Sequence, residues 1–509
     1  MKKQSLLSRF YHFIWPIQRH EYKKFFPMMF IFFMITFNYN ILRAMKDTII
    51  ITAPKSGAEV IPFIKVWAML PTAIFFTVLL TKLSSKIGRE KLFYVMVSIF
   101  LLFYALFIFV LFPAKDILHP HAFADKIQSF LPDGLSGLIA LFRNWTFTSF
   151  YVMCELWGAM ILSVLFWGFA NEISTIDEAK RYYLLFGVGA NISGIFSGKF
   201  VVSISQMKYF PSIPYGTTAW EQSLLFLNVV IIAVGILLMI TYYKFNRSSV
   251  GQSNRATQPI IKPKKAKLSM KKNFAYLAKS KYLLYIAAIV FSYNIALNLV
   301  EIVWKNQVKT LYPNPAEYNA FMGNVMIVTG IVAAIVALFI SGGLLRKFSW
   351  MFNAMITPII VFITGIGFFA FLLFHQQTSM IAAVFKTSPL ILTVLFGAMQ
   401  NCMSRAAKYT IFDATKEIAF IPLDNDTKLK GKAAIDGVGA KLGKSGGSVI
   451  YQGLLLVFSS LAASAPFIGI IFLIISAIWM GSVVSLGKQF NELAGEKPSD
   501  SLNNETTVS

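Results

Sequence analysis

The sequence predicts an all-α integral membrane protein whose helices cross the bilayer twelve times. The chain has 509 residues, of which 56% are hydrophobic and only 14% are charged, and its mean hydropathy is +0.63. Soluble globular domains carry about 25% charged residues, so this composition excludes that class. Twelve stretches are long and apolar enough to cross a hydrocarbon core of about 30 Å as helices.

The predicted spans follow one another with polar connections. The first is expected to be retained, because no small-residue cleavage site follows its apolar start. The segment before it is short and lacks a long Ser- and Arg-rich leader, which favours a bacterial inner membrane over a plastid envelope. The predicted spans are residues 25–43, 62–81, 92–112, 145–169, 183–205, 223–243, 282–303, 321–343, 350–373, 388–411, 437–460 and 465–486.

A basic hydrophilic segment divides these spans into six and six. Residues 244–281 contain eleven Lys and Arg residues and no Asp or Glu. Six spans on each side of a long connection is the organisation of the major facilitator fold, whose halves enclose a site near the bilayer midplane. The predicted parts are a cytoplasmic N-terminal segment (1–24), an N-terminal six-helix half (25–243), the linker (244–281), a C-terminal six-helix half (282–486) and a cytoplasmic tail (487–509).

The net charge of +24 follows from topology rather than from a nucleic-acid partner. With twelve spans, the N-terminus, the loop 82–91, the linker 244–281 and the turn at Arg346 and Lys347 are all basic and fall on one side. Positive loops face the cytoplasm, so we expect both termini there. The two cysteines lie in apolar spans and the five histidines show no metal-ligand spacing, so neither a metal nor a cofactor is expected.

Two carboxylates stand inside predicted spans. Glu155 lies in FYVMCELWGAM and Glu301 in LNLVEIVW. A charged side chain at mid-span costs about 2.5–3.5 kcal/mol on insertion scales and therefore indicates a functional site by default. Three roles fit Glu155: a neutral hydrogen-bonded acid, a proton carrier, or the partner of a lysine in a gate. For Glu301 an interfacial position near a helix end is the alternative.

Lysines at the ends of other spans supply the opposite charge. Lys65 lies in PFIKVWAML and Lys444 in GAKLGKSGGSV, where glycines at a helix start combine ammonium groups with backbone N–H donors for phosphate oxygens. The second segment is not a Walker A loop, because position 438 is Val where that motif needs Gly. A cytoplasmic loop lysine is the alternative for Lys444. Lys46, followed directly by Asp47, is equally ambiguous.

Asn191 lies among small residues in FGVGANISGIFSG. Small residues allow neighbouring membrane helices to approach closely, so packing competes with a ligand-contacting role for this amide.

Four long blocks resemble one transporter family. They are ILRAMKDTIIITAPKSGAEVIPFIKVW, FYVMCELWGAMILSVLFWGFANEISTIDEAKRYYLLFGVGAN, LNLVEIVWKNQVKTLYPNPAEYNAFMG and KYTIFDATKEIAFIPLDNDTKLKGKAAIDGVGAKLGKSGG. These blocks resemble the nucleotide transporters of plastids and obligate intracellular bacteria, whose best-known members are ATP/ADP antiporters. The resemblance runs from about residue 10 to 490 and implies a carrier, not an enzyme.

The resemblance implies exchange of external ATP for internal ADP. We expect a monomer in the lipid bilayer whose two six-helix halves rock to give alternating access to one central site. The family's functionally important charges map onto Lys65, Glu155, Glu301 and Lys444, and Asn191 and Lys46 match positions expected to line the same cavity. The expected roles are phosphate binding by the lysines and pairing of the glutamates with them when nucleotide is absent. Proton-coupled or exchange import of GTP, UTP, CTP or NAD is the alternative.

Overall fold

The structure is a computed structural model that describes residues 17–248, 280–337, 348–432, 435 and 440–495. Helices account for nearly all of this part of the chain. In chain order they are α1 (Arg19–Ile51), α2 (Val60–Lys86), α3 (Arg89–Leu111), α4 (Lys115–Leu118), α5 (His121–Gln128), α6 (Ser136–Arg143), α7 (Trp145–Ile173), α8 (Ile176–Ser205), α9 (Ala219–Arg247), α10 (Lys281–Leu311), α11 (Pro315–Ile335), α12 (Trp350–Leu373), α13 (His375–Val384), α14 (Pro389–Ala419), α15 (Asn425–Lys432), α16 (Ala440–Phe458) and α17 (Leu461–Gly495).

The all-helical membrane fold is confirmed, whereas the count of twelve spans is not reached. Ten helices in the described part are long and apolar enough to cross a bilayer. The bent pair α13 and α14, which meet at 85°, makes an eleventh if they form one span. The predicted span 437–460 corresponds to α16, of which only Ser445–Phe458 is apolar. Its polar start AKLGK leaves an apolar part shorter than a bilayer span.

Local signals in the sequence set the starts of several helices. Thr175 caps α8 in a reciprocal capping box, in which its backbone N–H donates to Glu178 Oε2 at 2.7 Å. Asn314 and Ser388 cap α11 and α14, and each is followed by a proline in the first helical position. Proline is tolerated there because its missing N–H would have no partner within the helix. Short polar connections therefore end one span and begin the next.

The connection between α3 and α7 folds into the three short helices α4 to α6. Arg143 at the end of α6 is 1% exposed, and its guanidinium lies 2.6 Å from Asp125 and donates to Gln128 at 3.0 Å. Lys55, in the turn after α1, also binds Asp125 at 2.7 Å. These two cations lower the pKa of the Asp125 carboxyl below its usual value. The ion pairs join the connection to the end of the first span.

The described contacts divide the chain into two compact units. The first comprises Met1–Lys264, Ile302–Leu338 and Tyr451–Ser464, and the second comprises Lys265–Glu301, Phe339–Ile450 and Ala465–Ser509. In the first, α1 packs against α7, α8 and α9, and in the second, α12 packs against α14. The functional division into halves 25–243 and 282–486 stays a prediction, and most of the linker 244–281 and of the termini lies outside the described residues.

Glycines bring α8 and α11 into close contact within the first unit. A Cβ added to Gly198 would lie 2.7 Å from the carbonyl oxygen of Gly323, and one added to Gly323 would lie 3.0 Å from that of Gly198. A Cβ on Gly330 would lie 2.7 Å from the carbonyl oxygen of Asn191. Small residues at such crossings let backbones approach, which is the main source of helix association in membranes.

We expect Gly198→Ala to lower the stability of the protein by about 1–3 kcal/mol, because the methyl group would force α8 away from α11. Gly187→Ala is the matched control, since it lies on the same helix and nothing within 4 Å would meet its Cβ. Both substitutions raise helix propensity equally. The measurement is the Tm of the purified protein in detergent, and equal Tm values for the two variants would contradict the close crossing.

Candidate functional site

The end of α1 carries two adjacent charges into the packed interior. Lys46 and Asp47 lie in ILRAMKDTIII, are only 3% and 1% exposed, and are followed by a further turn of apolar helix. Bringing an ammonium or a carboxylate out of water costs several kcal/mol per ion unless partners with good geometry compensate. Both side chains therefore need counter-ions from neighbouring helices.

Four side chains from three helices form a buried charge cluster that supplies these partners. Lys46 Nζ lies 2.8 Å from Asp47 Oδ1 and 3.0 Å from Glu155 Oε1 of α7. Lys305 Nζ of α10 lies 2.9 Å from Asp47 Oδ2. The Lys46 ammonium also lies 3.9 Å from the centre of the Tyr151 ring, within cation–π range. The charge cluster, Lys46, Asp47, Glu155 and Lys305, has a formal charge of zero.

Exposure within the charge cluster is uneven. The side chains of Lys46, Asp47 and Lys305 are at most 4% exposed, whereas that of Glu155 is 31% exposed. Glu155 is therefore the most accessible member of the cluster, and an anion that bound Lys46 would compete with the Glu155 carboxylate.

Lys65 lies near the start of α2, in a stretch of π-helix that covers Ile64–Met69. Its side chain is half-buried. Two residues later the Trp67 indole donates to Gln452 Oε1 at 3.2 Å, and the Gln452 amide donates to the carbonyl oxygen of Pro62 at 3.0 Å. The end of α16 thus holds the turn of α2 that carries Lys65. π-Helical turns recur at functional sites, because they change the direction of a side chain within a helix.

The second unit has its own ion pair between two of its long apolar helices. Glu301 of α10 lies 3.2 Å from the guanidinium of Arg405 on α14, and the two side chains are 21% and 22% exposed. One turn further along α14, the Lys408 ammonium lies 6.0 Å from the Tyr293 ring and 3.9 Å from Asp413. Glu301 thus has a partly exposed cation, Arg405, as its partner on the C-terminal part of the chain.

The backbone of Lys444 lies where α16 packs against α10. A Cβ on Gly443 would lie 3.1 Å from that of Asn294, and one on Gly447 would lie 3.0 Å from that of Asn298. Glu301 follows Asn298 by three residues and so lies near the same face of α10. The side chain of Lys444 is outside the described residues, and its role stays a prediction.

Asn191 lies on the face of α8 that contacts α11. Its carbonyl oxygen faces Gly330, and its side chain is half-buried. The packing role considered for this position is therefore present in the structure, and the ligand-contacting role of the amide stays a prediction.

Two participants in these ion pairs, Lys305 and Arg405, were not singled out from the sequence, and the role of Asp47 was ambiguous there. Arg405 lies within the predicted span 388–411, whereas Asp47 and Lys305 lie just beyond the predicted spans 25–43 and 282–303. A charge within or beside an apolar span is the signal that could have found them, but sequence does not show which charges meet. Among the residues that the structure describes, no group of three or more His, Cys, Asp or Glu side chains could hold a metal ion.

Comparison with known proteins agrees with the resemblance in the four blocks. The profile of the family described as "TLC ATP/ADP transporter" matches residues 1–490. The "ADP,ATP carrier protein 1" of Chlamydia pneumoniae is 48% identical over 482 residues, which cover 94% of this chain and 93% of that protein. The chloroplastic "ADP,ATP carrier protein 1" of Arabidopsis thaliana is 42% identical over 484 residues, covering 95% of this chain and 76% of that protein.

A solved structure shows the same fold at low sequence identity. The nucleoside transporter NupG aligns over 92% of this chain and 98% of its own with a TM-score of 0.52 and 13% identity. A likeness at this identity speaks for the arrangement of the helices alone. The profile match and the two relatives, in contrast, extend over nearly the whole sequence. This chain is therefore a member of the TLC ATP/ADP transporter family.

Proposed function

We propose that this protein exchanges external ATP for internal ADP across a bacterial inner membrane by alternating access. The observation that carries the proposal is the Lys46 ammonium, which is buried among helices and bound by a carboxylate that solvent can reach. The names of the bacterial and plastid relatives, all ADP,ATP carriers, support the choice of substrates. A carrier role, rather than catalysis, agrees with this family.

The chemistry of the proposed step is exchange of ion-pair partners. A phosphate oxygen that reaches Lys46 replaces Glu155 as its counter-ion, so the ammonium keeps a charge-assisted hydrogen bond in both states. Lys65 and Lys444 are proposed as further phosphate ligands, and Glu301 as the partner that holds cations of the C-terminal part, as it holds Arg405. In the empty site the glutamates pair with these cations, so a nucleotide must compete with them for binding. This competition keeps ATP and ADP from binding too tightly to be released.

This exchange of partners also explains why uptake of one nucleotide should require export of another. When nucleotide leaves, Glu155 must return to Lys46 before the buried ammonium can pass through an occluded state at tolerable cost. If the nucleotide-bound carrier reorients faster than the empty one, net uptake without counter-substrate is slow and exchange dominates. The alternative function is proton-coupled or exchange import of another nucleotide, with Glu155 or Glu301 as the proton site.

We expect uptake of labelled ATP into proteoliposomes to require ADP or ATP inside. Vesicles preloaded with nucleotide should take up at least about ten-fold more ATP than empty ones, if one charge-assisted contact separates the loaded from the empty carrier. Vesicles preloaded with GTP, CTP, UTP or NAD test base preference in the same assay. Strong ATP uptake into empty vesicles that rises with an inward proton gradient would move the protein to the proton-coupled class.

A further inference from the structure

Asp47 binds two ammonium groups at once, one from each sequence half. Its Oδ1 contacts Lys46 of α1 and its Oδ2 contacts Lys305 of α10, at 2.8 Å and 2.9 Å. The ion pairs run in order from Glu155, which is 31% exposed, to Lys46, then to Asp47 and then to Lys305, and the last three side chains are at most 4% exposed. A phosphate that approaches on the Glu155 side meets Lys46 first.

The four charges have unequal roles once a nucleotide is bound. If phosphate replaces Glu155, the remaining Lys46, Asp47 and Lys305 carry a formal charge of +1. Without Lys305 that sum would be zero, because Asp47 would neutralise Lys46. Without Asp47 it would be +2. Charges in a site of low effective dielectric act strongly over several ångströms, so residues that do not touch the nucleotide still set the positive charge that it meets.

We propose that Asp47 and Lys305 form a neutral buried pair that positions Lys46 and leaves a net charge of +1 on these three residues when phosphate replaces Glu155, which balances the affinities for ATP and ADP. They act as positioning residues and contact no substrate atom. ATP carries about one more negative charge than ADP, so any change in the charge behind Lys46 alters ATP binding more than ADP binding. This inference rests on the proposed function, in which Lys46 binds the phosphates.

A purely structural ion pair between α1 and α10 would behave differently. Its loss would lower stability by leaving one buried charge without its partner, whichever member is removed. The charge-setting role instead predicts opposite effects of the two substitutions on nucleotide preference. It also predicts rescue when both charges are removed together, because the sum behind Lys46 is then restored.

The test measures apparent Kd values for ATP and for ADP on the purified full chain, together with Tm. We expect Lys305→Gln to raise the ratio of the ATP Kd to the ADP Kd by about five-fold or more, and Asp47→Asn to lower it by a similar factor. The double variant Asp47→Asn/Lys305→Gln should return the ratio to within about two-fold of the original protein. Lys305→Arg keeps the charge and should keep the ratio.

Unchanged ratios in both single variants, or shifts in the same direction, would overturn the inference. If the single variants do not fold, the double variant and Lys305→Arg still test the inference. Both keep the summed charge of positions 47 and 305 at zero, so a change of more than about two-fold in the ratio of the ATP Kd to the ADP Kd in either one would contradict it. Failure of the proposed function is distinguishable: the unsubstituted protein would then bind neither nucleotide. Lys55→Gln, which removes a 59% exposed ammonium that pairs with Asp125, is the control for general effects of lost charge.

Discussion

Replacing Lys46 by Gln is expected to lower ATP/ADP exchange by about two orders of magnitude or more. The ammonium is 3% exposed and is shared by Asp47 and Glu155. Breaking a buried ion pair by removing one partner costs about 3–5 kcal/mol, because the remaining charges stay buried. The substitution also removes the proposed phosphate ligand. Exchange is measured in proteoliposomes at matched protein content, with Tm recorded on the same preparations.

Two further variants separate loss of the fold from loss of the site. Lys46→Gln/Glu155→Gln removes one charge of each sign, so it should recover stability and remain inactive. Lys55→Gln is the matched control, because it makes the same substitution in an exposed ion pair. Lys55 is 59% exposed and its partner Asp125 is 45% exposed. Exposed pairs contribute only about 0–1 kcal/mol. Exchange by Lys46→Gln at the rate of the Lys55→Gln control would show that Lys46 is not required.

The second large effect is expected at Lys65 and Lys444. Changing either one to Gln should lower affinity or turnover about ten-fold or more, since a charge-assisted hydrogen bond to phosphate contributes about 1.5–3 kcal/mol. Lys65→Arg should be partly active, because arginine keeps the charge but changes the reach and the donor geometry. The measurement is nucleotide uptake at matched membrane expression.

Lys264→Gln and Lys265→Gln are the controls for this pair. Both lysines belong to the predicted hydrophilic linker, in the part of the chain outside the described residues, and we expect their replacement to change transport little. Unaltered kinetics in both Lys65→Gln and Lys444→Gln would remove these two lysines from the phosphate site. The protein could still be a nucleotide carrier through Lys46, which the preceding variants test independently.

Glu155 and Glu301 show how far the free-energy cost of a charge in a membrane span can indicate a functional residue. A carboxylate in an apolar span requires a compensating cation, and in the structure each of them has one. Glu155 lies 3.0 Å from Lys46, and Glu301 lies 3.2 Å from Arg405. The role of the two glutamates in transport stays a prediction, and Arg405 was not among the expected partners. Whether these pairs open during transport is the question that the exchange assays address.

The sequence by itself determined the membrane class, the helices and the family. Apolar stretches of about twenty residues become helices because a bilayer leaves no other way to satisfy their backbone hydrogen bonds, and caps such as Thr175 set their starts locally. These features depend on residues near one another in the chain. The positions of costly charges, Glu155 and Glu301 among them, are equally visible in sequence.

Only the tertiary structure decided which of these charges meet. Asp47 binds Lys305, which is 258 positions away by number, because α1 and α10 bring them within 2.9 Å. The structure also places Lys65 on a π-helical turn and the carbonyl oxygen of Asn191 against α11. Ion-pair partners depend on helix packing and on competition among several possible counter-ions. Ion-pair partners therefore depend on contacts between residues far apart in the sequence, and a local sequence pattern does not specify those contacts.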